Sequence, residues 1–182
     1  MPPPRSELAP AWFAFLTELD ALLTGPIALQ CLGGFVVAVQ YGLPRPTADL
    51  DYIEIAPRGA LALLQELAGE GSALWKKHGL SLQHVTVANL PEGHADRAVE
   101  IMPGQLMHLR LYGLEAHDLA LSKLPRNSQV DREDVQYLAT TVPLDPAILK
   151  ERYLKELRPI MIGDLHEHDA TMELWLAAYF PN

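Results

Sequence analysis

Two adjacent glycines, Gly33 and Gly34, break the most apolar stretch of this chain, and aspartates follow on alternate residues at Asp49 and Asp51. Residues 27–32 read as a buried strand and residues 35–41 as a short apolar helix. A turn that tight needs backbone conformations that glycine adopts at little steric cost. Residues 50–55 read as a second strand. Alternate side chains of a strand share a face, so Asp49 and Asp51 project together while Leu50 and Tyr52 take the other side. Two neighbouring carboxylates repel each other, and a hard cation such as Mg²⁺ or Mn²⁺ between them relieves the repulsion. The backbone N–H groups that open the helix after Gly33-Gly34 are suited to cradle phosphate oxygens. Together these features have the shape of a metal-dependent phosphoryl- or nucleotidyl-transfer site.

The rest of the composition narrows the partners. With 182 residues, 49% of them hydrophobic and 20% charged, the chain can bury a substantial core. A formal net charge of −9 argues against holding nucleic acid by bulk electrostatics, so an RNA end would need a local basic patch or another subunit. Cys31 is the only cysteine, which excludes an intramolecular disulfide and a four-cysteine zinc site and suits a reducing compartment. The start of the chain, proline-rich over residues 1–5 and expected to fray, does not read as a secretory leader. The apolar window 26–43 is interrupted by Gln30, Gly33, Gly34 and Gln40, so no membrane span and a cytoplasmic location are expected.

Periodicity predicts a helix over residues 7–23 and further helices over 58–69 and 72–78. Strands are expected over 82–90, 97–102 and 107–112. Beyond Gly113 the pattern turns helical, at 117–124, 132–140, 145–156 and 169–179, with Asp169 as a candidate helix cap. The expected fold is α/β (α+β), a mixed sheet flanked by helices over residues 1–115 with a helical carboxy-terminal part over 116–182. The acidic pair wants a third carboxylate from an adjacent strand. Glu100, between Val99 and Ile101, suits that place, because a carboxylate in a buried strand is costly unless paired or metal-bound. An ion pair with Arg97 or Arg110 would also account for it.

The run Gly33-Gly34, then Arg45-x-Thr47-x-Asp49-Leu-Asp51, resembles the nucleotidyltransferase superfamily of DNA polymerase β, and within it the minimal transferases of the AbiEii toxin-like group. A second block, His117-Asp118-Leu-Ala-Leu-Ser-Lys123 followed by Arg132-Glu-Asp134, agrees with that resemblance. It implies that Asp49, Asp51 and Glu100 bind Mg²⁺ or Mn²⁺ and that Lys123 contacts the nucleotide's phosphates. It further implies that Gly33, Gly34, Arg45, Thr47 and Asp134 line the substrate site. Phe35 stands where many active members carry a hydroxyl residue.

The expected activity is transfer of a nucleoside monophosphate from a nucleoside triphosphate to a hydroxyl, on an RNA end or a protein. A toxin–antitoxin or defence setting, with a cognate antitoxin or partner subunit, goes with the resemblance. The alternative is a binding protein of the same fold that has lost its chemistry, and a metal-dependent hydrolase would use the same carboxylates. His166-Glu167-His168-Asp169 lacks the spacing of a helical metal site, and Ser122 and Ser128 show no base partner in sequence.

Overall fold

The computed structural model describes residues 8–181, so the expected frayed segment 1–5 lies outside the described residues. The chain divides into two compact units: residues 8–87 with Ala98–Leu114, and Ala88–Arg97 with residues 115–181. The first unit carries a five-stranded mixed sheet flanked by helices, and the second is helical.

In the first unit α1 (Pro10–Leu22) precedes β1 (Ile27–Leu32), which runs directly into α2 (Gly33–Tyr41). Next come β2 (Asp49–Ala56), α3 (Leu61–Ala68), α4 (Ala73–His78) and β3 (Ser81–His84). After the short α5 (His94–Arg97) of the second unit, the first unit closes with β4 (Val99–Ile101) and β5 (Leu109–Gly113). The strand order is β3-β2-β1-β5-β4, with β1 antiparallel to β2 and parallel to β5.

The register sorts the sheet into two chemically different faces. Leu29 and Cys31 of β1 share a face with Leu111 of β5, Leu50 and Tyr52 of β2 and Leu82 of β3, all buried. The other face carries Gln30, Asp49, Asp51, Glu54, Ser81, Gln83, Arg110, Tyr112 and Glu100. Gln30 opposes Glu54 while Cys31 opposes Tyr52, so Ile53 has no partner and forms a β-bulge. The extra residue shifts the alternation by one: Ile55 joins Leu50 and Tyr52 on the apolar face, and Glu54 turns out to solvent.

Helices cover the apolar face. Phe15, Leu16 and Leu19 of α1 and Phe35, Val36 and Val37 of α2 are fully buried. Trp12 packs edge-on against Phe35 and Phe15 with ring centroids 4.8 and 5.5 Å away. Its Nε1 donates to the Thr47 carbonyl at 3.0 Å, tying the segment before β2 to α1. At the other end of α1 the Asp20 carboxylate accepts the N–H groups of Met107, His108 and Leu109 at 2.7–2.8 Å and so fixes the start of β5.

The second unit holds α6 (Ala116–Ser122), α7 (Gln129–Thr141), α8 (Pro146–Arg152) and α9 (Leu165–Tyr179). Each begins with a side-chain cap, from Glu115, Ser128, Asp145 and Asp164 in turn. Asp118, fully buried, is held by Arg97 at 2.8 and 3.0 Å and by Arg152 at 2.9 Å. Glu115 caps α6 while it binds His117 at 2.7 Å and also Arg152.

Several expectations are corrected. The strand expected over 82–90 ends at His84, because β2 bulges at Ile53 just past the last β2–β3 pair, Tyr52 with His84. The strand expected from residue 97 begins at Val99, since Arg97 ends α5 and turns its guanidinium to Asp118. The helix expected over 145–156 stops at Arg152 and continues as one turn of π-helix, Tyr153–Leu157. Asp169 does not cap α9. Asp164 does so, accepting from His166 and Glu167, while Asp169 binds Arg158 and Tyr153 inside the unit.

Two predictions follow from these buried and half-buried carboxylates. Asp20→Asn keeps the shape but gives up the charge that serves three N–H groups, and denaturant unfolding is expected to show a loss of about 1–3 kcal/mol. Burial raises the Glu115 and Asp131 pKa values, but His117 and Arg152 hold Glu115 at about 2, and Arg126 with Ser128 holds Asp131 at about 2. Both folded values lie below the ordinary 4.5 and 3.8, so these pairs stabilise fully above about pH 5. Their contribution is lost as pH falls from there towards 2. Denaturant midpoints measured from pH 7 to pH 2 should stay level and then drop in that window.

Candidate active site

The turn from β1 into α2 and the start of β2 meet at one point. Gly33 has φ +75°, and a Cβ built on it would lie 2.6 Å from Asp51 Oδ2. Only glycine allows both that left-handed backbone and that approach. Leu32 stands at the N-cap of α2 and offers no side-chain acceptor, so the positive end of the helix faces this corner without the side-chain cap that α6 to α9 carry. Asp49 lies two residues earlier on the same face of β2, exposed, and its Oδ1 accepts from the Ser81 hydroxyl at 3.1 Å. Thr47 donates its hydroxyl to the Asp49 carbonyl at 3.0 Å, and the same Oγ1 lies 4.0 Å from where a Gly34 Cβ would stand. The structure thus brings Gly33, Gly34, Thr47, Asp49 and Asp51 together.

Phe35 follows the glycine pair but points away from this corner. Its side chain is fully buried and packs on Trp12 beneath the apolar face of the sheet. It therefore withholds a hydroxyl from the turn without filling the space in front of it. Arg45 is half-buried in the segment that joins α2 to β2.

Within the first unit Glu100 lies apart from this corner. Glu100 is on β4, and both β1 and β5 separate β4 from β2, which together with the register puts it about 16 Å from Asp51 by strand spacing and farther still from Asp49. The adjacency expected for it is corrected: it shares the polar face of the sheet, but its partner is Arg110, at 2.9 Å in a largely exposed pair. The strand that is adjacent to β2 carries Gln83 in register with Asp51. Lys123, in the second unit, is 5% exposed and donates to Asp134 Oδ2 at 2.6 Å, with Asp131 at 3.8 Å. Asp134 is itself fully buried. Arg126 binds Asp131 and Arg132 donates to the Asn127 carbonyl, so both cations serve local contacts.

Among the described residues no group of three or more histidine, cysteine, aspartate or glutamate side chains is gathered closely enough to hold a cation. The donor set at the turn nevertheless suits Mg²⁺ or Mn²⁺. Mg²⁺ is commonly held by one or two carboxylates with water and substrate phosphates completing its shell. Asp49 and Asp51 supply two carboxylates, and the uncapped helix start beside them supplies a place for phosphate. Three residues of this corner escape the sequence patterns: Ser81 and Gln83, which only strand pairing brings beside the aspartates, and Gln30. Gln30 had one signal, a polar residue inside a buried strand.

No helix among the described residues is long and apolar enough to cross a membrane. No curated protein and no solved structure matches the chain. Residues 16–174 match a family described as a nucleotidyltransferase of unknown function (DUF6036), a span that takes in the glycine turn, the aspartate pair and most of the second unit. The chain belongs to this nucleotidyltransferase family.

Proposed function

We propose that this chain is a metal-dependent nucleotidyltransferase that moves a nucleoside monophosphate from a nucleoside triphosphate to a hydroxyl acceptor. The observation that carries the reading is Asp51 seated against Gly33 at the start of α2, with Asp49 beside it on the same face. Asp49 and Asp51 are the residues that would hold Mg²⁺ or Mn²⁺. When bound, such an ion would neutralise charge developing in an in-line displacement at phosphorus. The N–H groups after Gly33 and Gly34 orient the phosphate oxygens, and Thr47 borders the same corner, with Arg45 two residues before it in the same segment. One aspartate accepts the proton of the acceptor hydroxyl as the new P–O bond forms and pyrophosphate leaves.

Lys123 and Asp134 are assigned a supporting part, as a buried pair that holds α6 against α7. Glu100 stays outside the ligand set. The acceptor class, an RNA end or a protein hydroxyl, and a toxin–antitoxin setting rest on the resemblance of the Arg45-x-Thr47-x-Asp49-Leu-Asp51 run alone. A second reading, a partner protein of this fold without chemistry, is favoured by one observation: Gln83, not a carboxylate, stands beside Asp51 on the adjacent strand.

Incubation with each α-labelled nucleoside triphosphate, Mg²⁺, and total RNA or protein tests the two. Label on a macromolecule supports transfer, whereas nucleotide binding without label supports the partner reading. Asp49→Ala and Asp51→Ala are each expected to cut transfer about 100-fold or more with the fold retained by circular dichroism. Undiminished transfer in both variants would sink the assignment. Gly33→Ala is expected to destabilise by about 1–3 kcal/mol and to abolish phosphate binding, because the new methyl meets Asp51 in a strained backbone. Gly25→Ala, with no atom near its Cβ position, is the neutral control.

A further inference from the structure

Gln30 lies in the middle of β1 with 7% of its surface exposed, and its Nε2 has no hydrogen-bond partner. An unpaired buried amide N–H is costly, and native proteins keep few of them. The register places Gln30 on the polar face, between Glu54 across β2 and Tyr112 across β5. Asp51 opposes Leu32, two residues further along β1, which puts Gln30 about 8 Å from Asp51 by strand spacing. Gln40 also has an unpartnered amide oxygen, but it packs against Gly113 on the apolar side, and its Nε2 donates to Tyr41 and the Leu114 carbonyl. Gln30 has no such alternative role.

We propose that the Gln30 carboxamide is a substrate-contacting residue that donates a hydrogen bond to an acceptor oxygen on the nucleoside part of the bound nucleotide. The proposal rests on the reading of the aspartate corner as the place where the triphosphate is held. With phosphates at Gly33 and Asp51, the sugar and base extend over the neighbouring positions of the polar face, and Gln30 is the buried donor there. A group kept unpaired for a ligand trades stability of the free protein for affinity. That trade is measurable.

The test uses the full chain and two variants, Gln30→Met and Gln30→Leu, which keep the volume and remove the amide. Calorimetry in Mg²⁺ with the α,β-methylene analogues of ATP, GTP, CTP and UTP, their 2′-deoxy forms and inorganic tripolyphosphate separates the contributions. Both variants are expected to bind at least one nucleotide about 10-fold more weakly than the wild type and to bind tripolyphosphate equally well. Loss confined to one base places the contact on the base. Loss shared by all four ribonucleotides, with the wild type already weaker for the deoxy forms, places it on the sugar hydroxyl. In the absence of ligand the variants are expected to melt at the same temperature or up to about 2–4 °C higher. Unchanged nucleotide affinity, an equal loss for tripolyphosphate, or a lowered melting temperature in both variants overturns the role of Gln30. A wild-type protein that binds neither nucleotide nor tripolyphosphate overturns the nucleotide reading itself, and this proposal with it.

Discussion

The close approach of Asp51 to Gly33 is the constraint on which the first unit depends. It requires β1 to end in a left-handed residue without a side chain, so that α2 can begin at once and turn over the apolar face. The same contact brings a carboxylate to the positive end of that helix, where the helix dipole favours negative charge. Neither half works alone. A side chain at position 33 would push β2 away, and an apolar residue at position 51 would leave the helix start without a negative neighbour. Trp12 secures the arrangement from below by packing on Phe35 and bonding to the Thr47 carbonyl.

The bulge at Ile53 is the second device. It lets one strand present Asp49, Asp51 and Glu54 to the polar face and still bury Leu50, Tyr52 and Ile55. It also ends the pairing with β3 after His84, which leaves Ser81 and Gln83 as the β3 residues next to the aspartates. The polar face therefore carries carboxylates, amides, a hydroxyl, a phenol and a guanidinium over a core of aliphatic and aromatic side chains. In the second unit charge is handled differently. Asp118, Asp131 and Asp134 are buried among Arg97, Arg152, Arg126 and Lys123, each with short partners. Removal of one member would strand its partner, the costly outcome for buried charge.

Much of this was legible in the residue pattern. The glycine pair, the aspartates and the strand–turn–helix around them are local features, set by steric permission at Gly33 and by the two-residue period of a strand. The bounds of β1 and the general change to helices after Gly113 were legible for the same reason. The places where reading failed have non-local causes. Glu100 sits between apolar neighbours just as a buried ligand would, yet sheet order decides its neighbours, and Arg110 is one of them. Asp169 resembles a cap, but Arg158 and Tyr153, from earlier in the chain, engage its carboxylate, and Asp164 caps α9 instead.

The sequence by itself determined the chemistry on offer: a glycine turn between a strand and a helix, two carboxylates on one face, and a chain too acidic to hold nucleic acid by charge alone. Only the tertiary structure decided which groups meet. Strand order separated Glu100 from the aspartates and put Gln83 beside them, and packing turned Phe35 into the core. Burial closed Lys123 onto Asp134 and left the Gln30 amide without a partner. The physical reason is that side-chain type and spacing act over a few residues, whereas strand pairing and burial join positions distant in the chain.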